Sequence, residues 1–260
     1  MSDQLATLMN LEPPFAIALA LKQIESQYDE RCYIKPKMLA KFGRFDSLGT
    51  STQTIQEHGG TETMLTDNLI DTIVSSAVGD GQTYSLEGHT VDGSGNLTFA
   101  VQTGTLTGTT NVTLTTPLAR ATRLVNTGTT VLAGVAKVVD ATSPSVIYVQ
   151  ADGTHNRSQK AATSISQTDY WIITHLYGGV LKKTSASVDF SLQVKTPTGV
   201  WIEEYGWEGV ATAANGPHIL DTPIIIPSNS DVKISGIAST TGVEAIARMG
   251  GYLAISGQLP

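Results

Sequence analysis

The chain has 260 residues, 16 Lys plus Arg against 23 Asp plus Glu, five His, one Cys, 25 Gly and 35 Thr, with a formal charge of −7 and a pI near 5.1. That balance argues against a general DNA- or RNA-coating role, which draws on Lys and Arg that neutralise phosphates, and one cysteine cannot staple the chain to itself. With 15% charged and 40% apolar residues, in a length that fits one large or two modest domains, there is a core to bury and too little charge to hold the chain open.

The charge is unevenly placed. Residues 1–44 carry six basic and five acidic side chains, residues 45–119 carry eight acids and no Lys or Arg, and residues 120–260 carry ten of each. A stretch of that length without a cation repels nucleic acid and anionic lipid. It suits a solvated surface or a basic protein partner.

Met1-Ser2-Asp3-Gln4 lacks the basic start of a secretory signal, and the run from Phe15 to Leu21 falls far short of the ~20 residues of a membrane-spanning helix. Neither a signal peptide nor a membrane contact is expected. The first 30 residues read as helical: Pro14 can open a helix at its first turn, and Ile17, Leu21, Ile24 and Tyr28 then fall on one face of a helix over about residues 14–28. So short an amphipathic helix needs a cover, from its own domain or a neighbouring subunit. From Arg31 to Arg44, five cations (Arg31, Lys35, Lys37, Lys41 and Arg44) alternate with apolar groups, which reads as an extended arm or edge strand.

From about residue 72 the pattern turns to β. Thr72-Ile73-Val74 and Thr83-Tyr84-Ser85-Leu86 are short β-branched or aromatic runs bounded by glycine turns. Leu97, Phe99 and Val101 then alternate with Thr98, Ala100 and Gln102, and threonine-rich runs follow through Val112 and Leu114 and from Arg123 to Val125. A polar stretch without periodicity, Ala151 to Lys160, marks a boundary. Beyond it, Val188, Phe190, Leu192 and Val194 alternate with polar residues as a half-buried strand, and Pro197-Thr198-Gly199 turns into a strand from Trp201. Pro223 and Pro227 bracket Ile224-Ile225-Ile226, which marks an edge or corner. The fold class is mainly β: two small antiparallel β-sandwich or jelly-roll-like domains, 46–150 and 151–260, preceded by a short helix and extended arm over 1–45.

The motifs that carry chemistry are missing. The chain has no phosphate loop, no dinucleotide glycine fingerprint and no Gly-x-Ser-x-Gly elbow, and its histidines (His58, His89, His155, His175, His218) are scattered. Asp92, Ser94 and Asn96 alternate oxygen side chains like half a calcium loop, but position 103, where the closing acid belongs, is Thr, so a turn is expected. In a regular strand Trp201, Glu203, Tyr205 and Trp207 share one face. Trp201, Tyr205 and Trp207 are thus candidates for a packing or subunit interface, or for a glycan-binding strip. No catalytic residue, metal site or cofactor is expected.

Two stretches resemble a family of virion structural proteins, capsid decoration or cement proteins, of tailed bacteriophages of aquatic bacteria. One is Lys41-Phe42-Gly43-Arg44, followed by Gly49-Thr50-Ser51 and Ile55 to Gly59-Gly60, where His58 stands near a position at which the family commonly has tryptophan. The other runs from Leu86-Glu87-Gly88-His89 through Asp92-Gly93-Ser94-Gly95-Asn96 and Leu106-Thr107-Gly108-Thr109-Thr110-Asn111-Val112-Thr113-Leu114 to Arg120-Ala121-Thr122-Arg123 and Asn126-Thr127-Gly128. The resemblance covers residues 40–255 and leaves the first 40 aside. It implies a virion component, with capsid-surface decoration the favoured role. With the missing catalytic motifs this gives a non-enzymatic protein bound to the major capsid protein, its cation-free 45–119 segment on the outer capsid surface. Uncovered β edges favour self-association, with a trimer favoured. Ile17, Leu21, Ile24, Tyr28, Arg31, Lys35, Lys37, Lys41 and Arg44, mostly outside the stretch the resemblance covers, are the candidate docking arm. A tail, neck or fibre component that binds host glycan through the Trp201–Trp207 strip is the alternative within a virion. A secreted carbohydrate-active enzyme or lectin is the alternative outside one.

Overall fold

The computed structural model describes residues 18–23, 32–60, 62, 64–181, 186–211 and 217–256, with the backbone alone at 32–37 and 256. Its sixteen strands form four antiparallel sheets in two stacked pairs, so the expected class of paired β-sandwiches is what the chain adopts. Residues 18–23 form a short helix, and none among the described residues is long and apolar enough to cross a membrane.

Chain order and sandwich membership differ. Strand β1 (Cys32–Leu48) and the two-residue β2 (Gln53–Thr54) belong to the second sandwich, not to an arm or to the first β unit. β1 pairs with the last strand, β16 (Val243–Ser256), from Cys32↔Ser256 to Leu48↔Val243, with the ladder interrupted at Lys35-Pro36-Lys37, where a proline has no N–H to donate. Leu48 and Ile55 are fully buried in the second core. The expected divisions at 45 and 150 are therefore replaced by an insertion: the first sandwich interrupts a second one assembled from both ends of the chain. β1 can run this close only because residue 43 is glycine. A Cβ there would sit 2.1 Å from the Ile55 carbonyl oxygen.

The first sandwich holds β3 (Ile70–Ser75), β4 (Thr83–Val91), β5 (Leu97–Thr105), β6 (Val112–Leu118), β7 (Arg120–Asn126), β8 (Val135–Asp140) and β9 (Ser143–Asp152). The sheet β6-β3-β8-β9 packs on β5-β4-β7 around Ile70, Ile73, Leu86, Leu118, Leu124 and Val138. Leu97, Phe99 and Val101 alternate as expected, but none of them belongs to this core, whereas the intervening Ala100 packs against it. Leu97 is buried where its backbone joins the second sandwich, its N–H donated to Asn229 Oδ1 and its carbonyl accepting the Gln167 N–H, and Phe99 lies edge-on to His89 at 5.5 Å.

The remaining strands are β10 (Ala162–Ser164), β11 (Asp169–Val180), β12 (Ser187–Lys195), β13 (Ile202–Val210), β14 (His218–Ile226) and β15 (Asp231–Ala238). Sheet β1-β16-β11-β14 faces sheet β10-β15-β12-β13, to which β2 adds. Val188, Phe190, Leu192 and Val194 of β12 all point into the shared core with Trp171 and Trp207, as the alternation predicts. β14, which holds Pro223 and the Ile224-Ile225-Ile226 run, lies at a sheet edge as the prolines predict. The outer face of β11 and β16 is partly covered by the helix, where Ala20 and Leu21 pack with Tyr170, Ile172 and Ala254.

Candidate functional site

Buried charged and polar contacts gather at the junction of the two sandwiches. Lys160, in the connection between β9 and β10, is 4% exposed and donates to Glu62 Oε1 at 2.7 Å and to the carbonyls of Tyr148 and Ala121 at 2.7 and 2.8 Å. Burial pushes the Glu62 carboxyl up from its ordinary value, and the Lys160 charge opposes that shift. A second tie runs from β7 to β15. Arg120 forms a two-armed pair with Asp231, whose Oδ1 also accepts the Ser164 hydroxyl at 2.5 Å, and Arg120 Nη1 donates to the Leu65 carbonyl. A third is neutral: Asn229 Oδ1 accepts the Leu97 N–H at 2.8 Å and its Nδ2 donates to Asn96 Oδ1 at 3.2 Å. Buried charges with matched partners at fixed geometry hold the sandwiches in one relative position.

Asp92, Ser94 and Asn96 form a turn, not a cation loop. Asp92 Oδ1 accepts the amides of Ser94 and Asn96 at 2.8 and 2.9 Å, and Oδ2 accepts the Asn96 side-chain amide. Where the chain just after β2 meets the end of β9, Glu57, Asp152 and His155 place their ligand atoms within 4.8 Å of one another, the one group of possible metal ligands among the described residues. Burial, and then the hydrogen bond and charge of Asp152, push the Glu57 carboxyl up to about 8, so at neutral pH it keeps its proton. A cation would first have to displace that proton. Sequence reading missed this cluster because its members are nearly 100 positions apart, as it missed the Lys160–Glu62 pair.

Beside β1 a basic cleft of about 530 Å³ opens between the sandwiches, lined by Met38, Ala40 and Phe42 from β1, Arg248 from β16, Arg123 from β7 and Arg157. Arg123 pairs with Glu87 at 2.9 Å. Arg157 and Arg248 are exposed and have no ion-pair partner among the described residues.

The expected docking arm is assembled differently. Ile17, Ile24, Tyr28 and Arg31 lie outside the described residues, and Lys35 and Lys37 are described only as backbone of β1. Leu21 packs beside the Tyr170–Ile172 cluster. Lys41 is buried, and Arg44 is committed to Glu244 at 2.5 Å and Asp46 at 2.8 Å, because its strand is a sheet member and not a free arm. The aromatic strip also departs from expectation. β13 shifts register where Leu192↔Tyr205 is followed by Gln193↔Glu203, so the extra residue, Glu204, breaks the alternation. Trp207 is 9% exposed and stacks on Phe190 in the core, and Tyr205 packs beside it. Trp201 precedes the strand and lies under the Lys233 ammonium, 4.0 Å from its ring centre, on the opposite side of the sheet. The three rings thus do not form one surface for a sugar.

No family model matches the chain, and no curated protein does. Matching solved structures include one of infectious bursal disease virus, Gt strain (12% identity over 85% of this chain and 72% of the other, TM-score 0.25). Others are T=1 particles derived from that virus (12%, 85% and 70%, TM-score 0.26) and its VP2 subviral particle (11%, 85% and 71%, TM-score 0.22). At these TM-scores the likeness carries no argument about fold or function.

Proposed function

We propose that the protein is a non-enzymatic structural component of a tailed-phage virion, a decoration or cement protein seated on the outer face of the capsid and bound to the major capsid protein. The observation that carries the reading is the use made of the residues that resemble the phage family. Arg120 clamps the second sandwich, Arg123 pairs with Glu87 across β4 and β7, Asp92 and Asn96 build a turn that touches Asn229, and Asn126 Nδ2 reaches Asn156 Oδ1 at 2.9 Å. These side chains are spent on stiffness. A body of two sandwiches locked together resists shear, and weak contacts repeated over a shell add up to strong attachment. The cation-free stretch of 45–119 suits an outward position, away from packed DNA.

The test is reconstitution. Capsids assembled without the protein should bind the purified chain saturably, at hundreds of copies per shell, and withstand a higher temperature before rupture. Absence of binding to expanded capsids contradicts the proposal.

A further inference from the structure

Two surfaces of opposite charge lie at opposite sides of the second sandwich. On one side is the basic cleft along the β1 edge, with Arg157 and Arg248 unpaired among the described residues and the exposed Met38 and Phe42 between them. On the other side are the outer strands β13 and β14, which neighbour each other at the far end of the two sheets, where Tyr205 and Trp207 of β13 meet His218 of β14. Glu204 and Glu208 of β13, Asp221 of β14 and Asp189 of the adjoining β12 are all exposed, and none has an ion-pair partner among the described residues. Asp189 and Glu208 stand directly opposite each other across β12 and β13, a like-charge pairing that destabilises a sheet until a cation joins it. Ile202 of β13 and Ile219 of β14 are also exposed on these strands, as Met38 and Phe42 are in the cleft with the arginines.

From this complementarity we infer that copies of this chain associate head to tail, the acidic β13–β14 edge of one copy seated in the basic β1 cleft of the next. Because the two surfaces are different and lie on opposite sides of one body, the contact is heterologous: it closes into a ring or runs on as a filament, and does not form a two-fold dimer. The Lys35-Pro36-Lys37 interruption keeps the β1 ladder from being extended freely, so side-chain charge and not strand addition carries the contact. The inference stands independently of the virion reading.

Sedimentation velocity of the purified full-length chain tests it. At low ionic strength the wild type should run larger than its 27.4 kDa monomer. It should fall toward monomer near 1 M salt, where screening acts over roughly 3 Å. Arg157→Glu with Arg248→Glu, and separately Glu204→Lys with Glu208→Lys, should each weaken self-association by about tenfold or more, since like charge then faces like. Equal amounts of the two variants should restore it, because each reversed surface meets its complement on the other. The inference is overturned if the wild type is monomeric at every salt concentration, if either variant associates as tightly as wild type, or if variants that melt like wild type stay monomeric when mixed. A cleft that serves a different anionic ligand gives the first of these results.

Discussion

Arg120 lays its guanidinium against both carboxylate oxygens of Asp231, Nε to Oδ1 at 2.8 Å and Nη2 to Oδ2 at 3.0 Å, across 111 positions of sequence. The pair is mostly buried and joins β7 of the first sandwich to β15 of the second. Removing one partner strands the other's charge, so Arg120→Ala or Asp231→Asn should cost about 3–5 kcal/mol. Arg120→Lys should recover only part of that, since an ammonium cannot make the two-armed contact. Urea denaturation of the three variants checks this.

Lys160 and Glu62 lend themselves to a double-mutant cycle. Lys160→Met leaves a buried carboxylate and two carbonyls without their donor, and should cost about 3–5 kcal/mol, whereas adding Glu62→Leu should recover a large share of the loss. Additive losses would show that the pair is not coupled in the way its geometry indicates.

Stability should peak near neutral pH for a definable reason. Burial, helped by the charge of Lys160 on His58 and of Lys41 and Arg120 on His89, lowers both imidazoles from 6.5 to about 3. The unfolded chain then binds more protons than the folded one between those values, so stability rises with pH from about 3 to about 6.5. Glu57 has the opposite sign. Pushed up from 4.5 to about 8 by burial and Asp152, it keeps its proton in the folded state alone over that window, and stability falls as pH rises through it. The histidine slopes end first, which puts the maximum near about pH 6.5. Thermal melts between pH 4 and 9 should show it, and Glu57→Gln should flatten the alkaline side and steepen the rise between about pH 4.5 and 6.5, where Glu57 opposes the histidines.

Gly88 tests the packing of β4 against β7. A Cβ there would sit 2.2 Å from the Arg120 carbonyl oxygen and 2.6 Å from Leu118 Cδ1, at the point where the two strands shift register. Gly88→Ala should destabilise by about 1–3 kcal/mol, since the backbone has to part to admit it. A melt equal to wild type would show that the strands yield more easily than their contacts suggest.

What was legible in the sequence was local. The period-two pattern of Val188 to Val194 marks β12 and its buried face, and Asp92 to Asn96 marks a turn, because both depend on near neighbours. The alternation of Leu97, Phe99 and Val101 marks β5, but the residue that packs on the core is Ala100, and Leu97 is tied by its backbone to Asn229 and Gln167 of the second sandwich, neither of which periodicity carries. β1 reads as extended, while its partner β16 begins about 200 positions away, so pairing that turns an arm into a sheet member is invisible to pattern. The bulge at Glu204 has the same character: a single unpaired residue moves Trp201 away from Trp207 and removes a surface that regular spacing predicts. The junction pairs Arg120–Asp231 and Lys160–Glu62 join residues that only the folded chain brings together.

The proposed role as a repeated component of the capsid exterior is tested most directly by reconstruction of the phage particle at residue resolution. If the proposal holds, density for both sandwiches, joined as described, repeats over the outer capsid face in contact with the major capsid protein. Density confined to the tail or neck, or a particle without the chain, would contradict it.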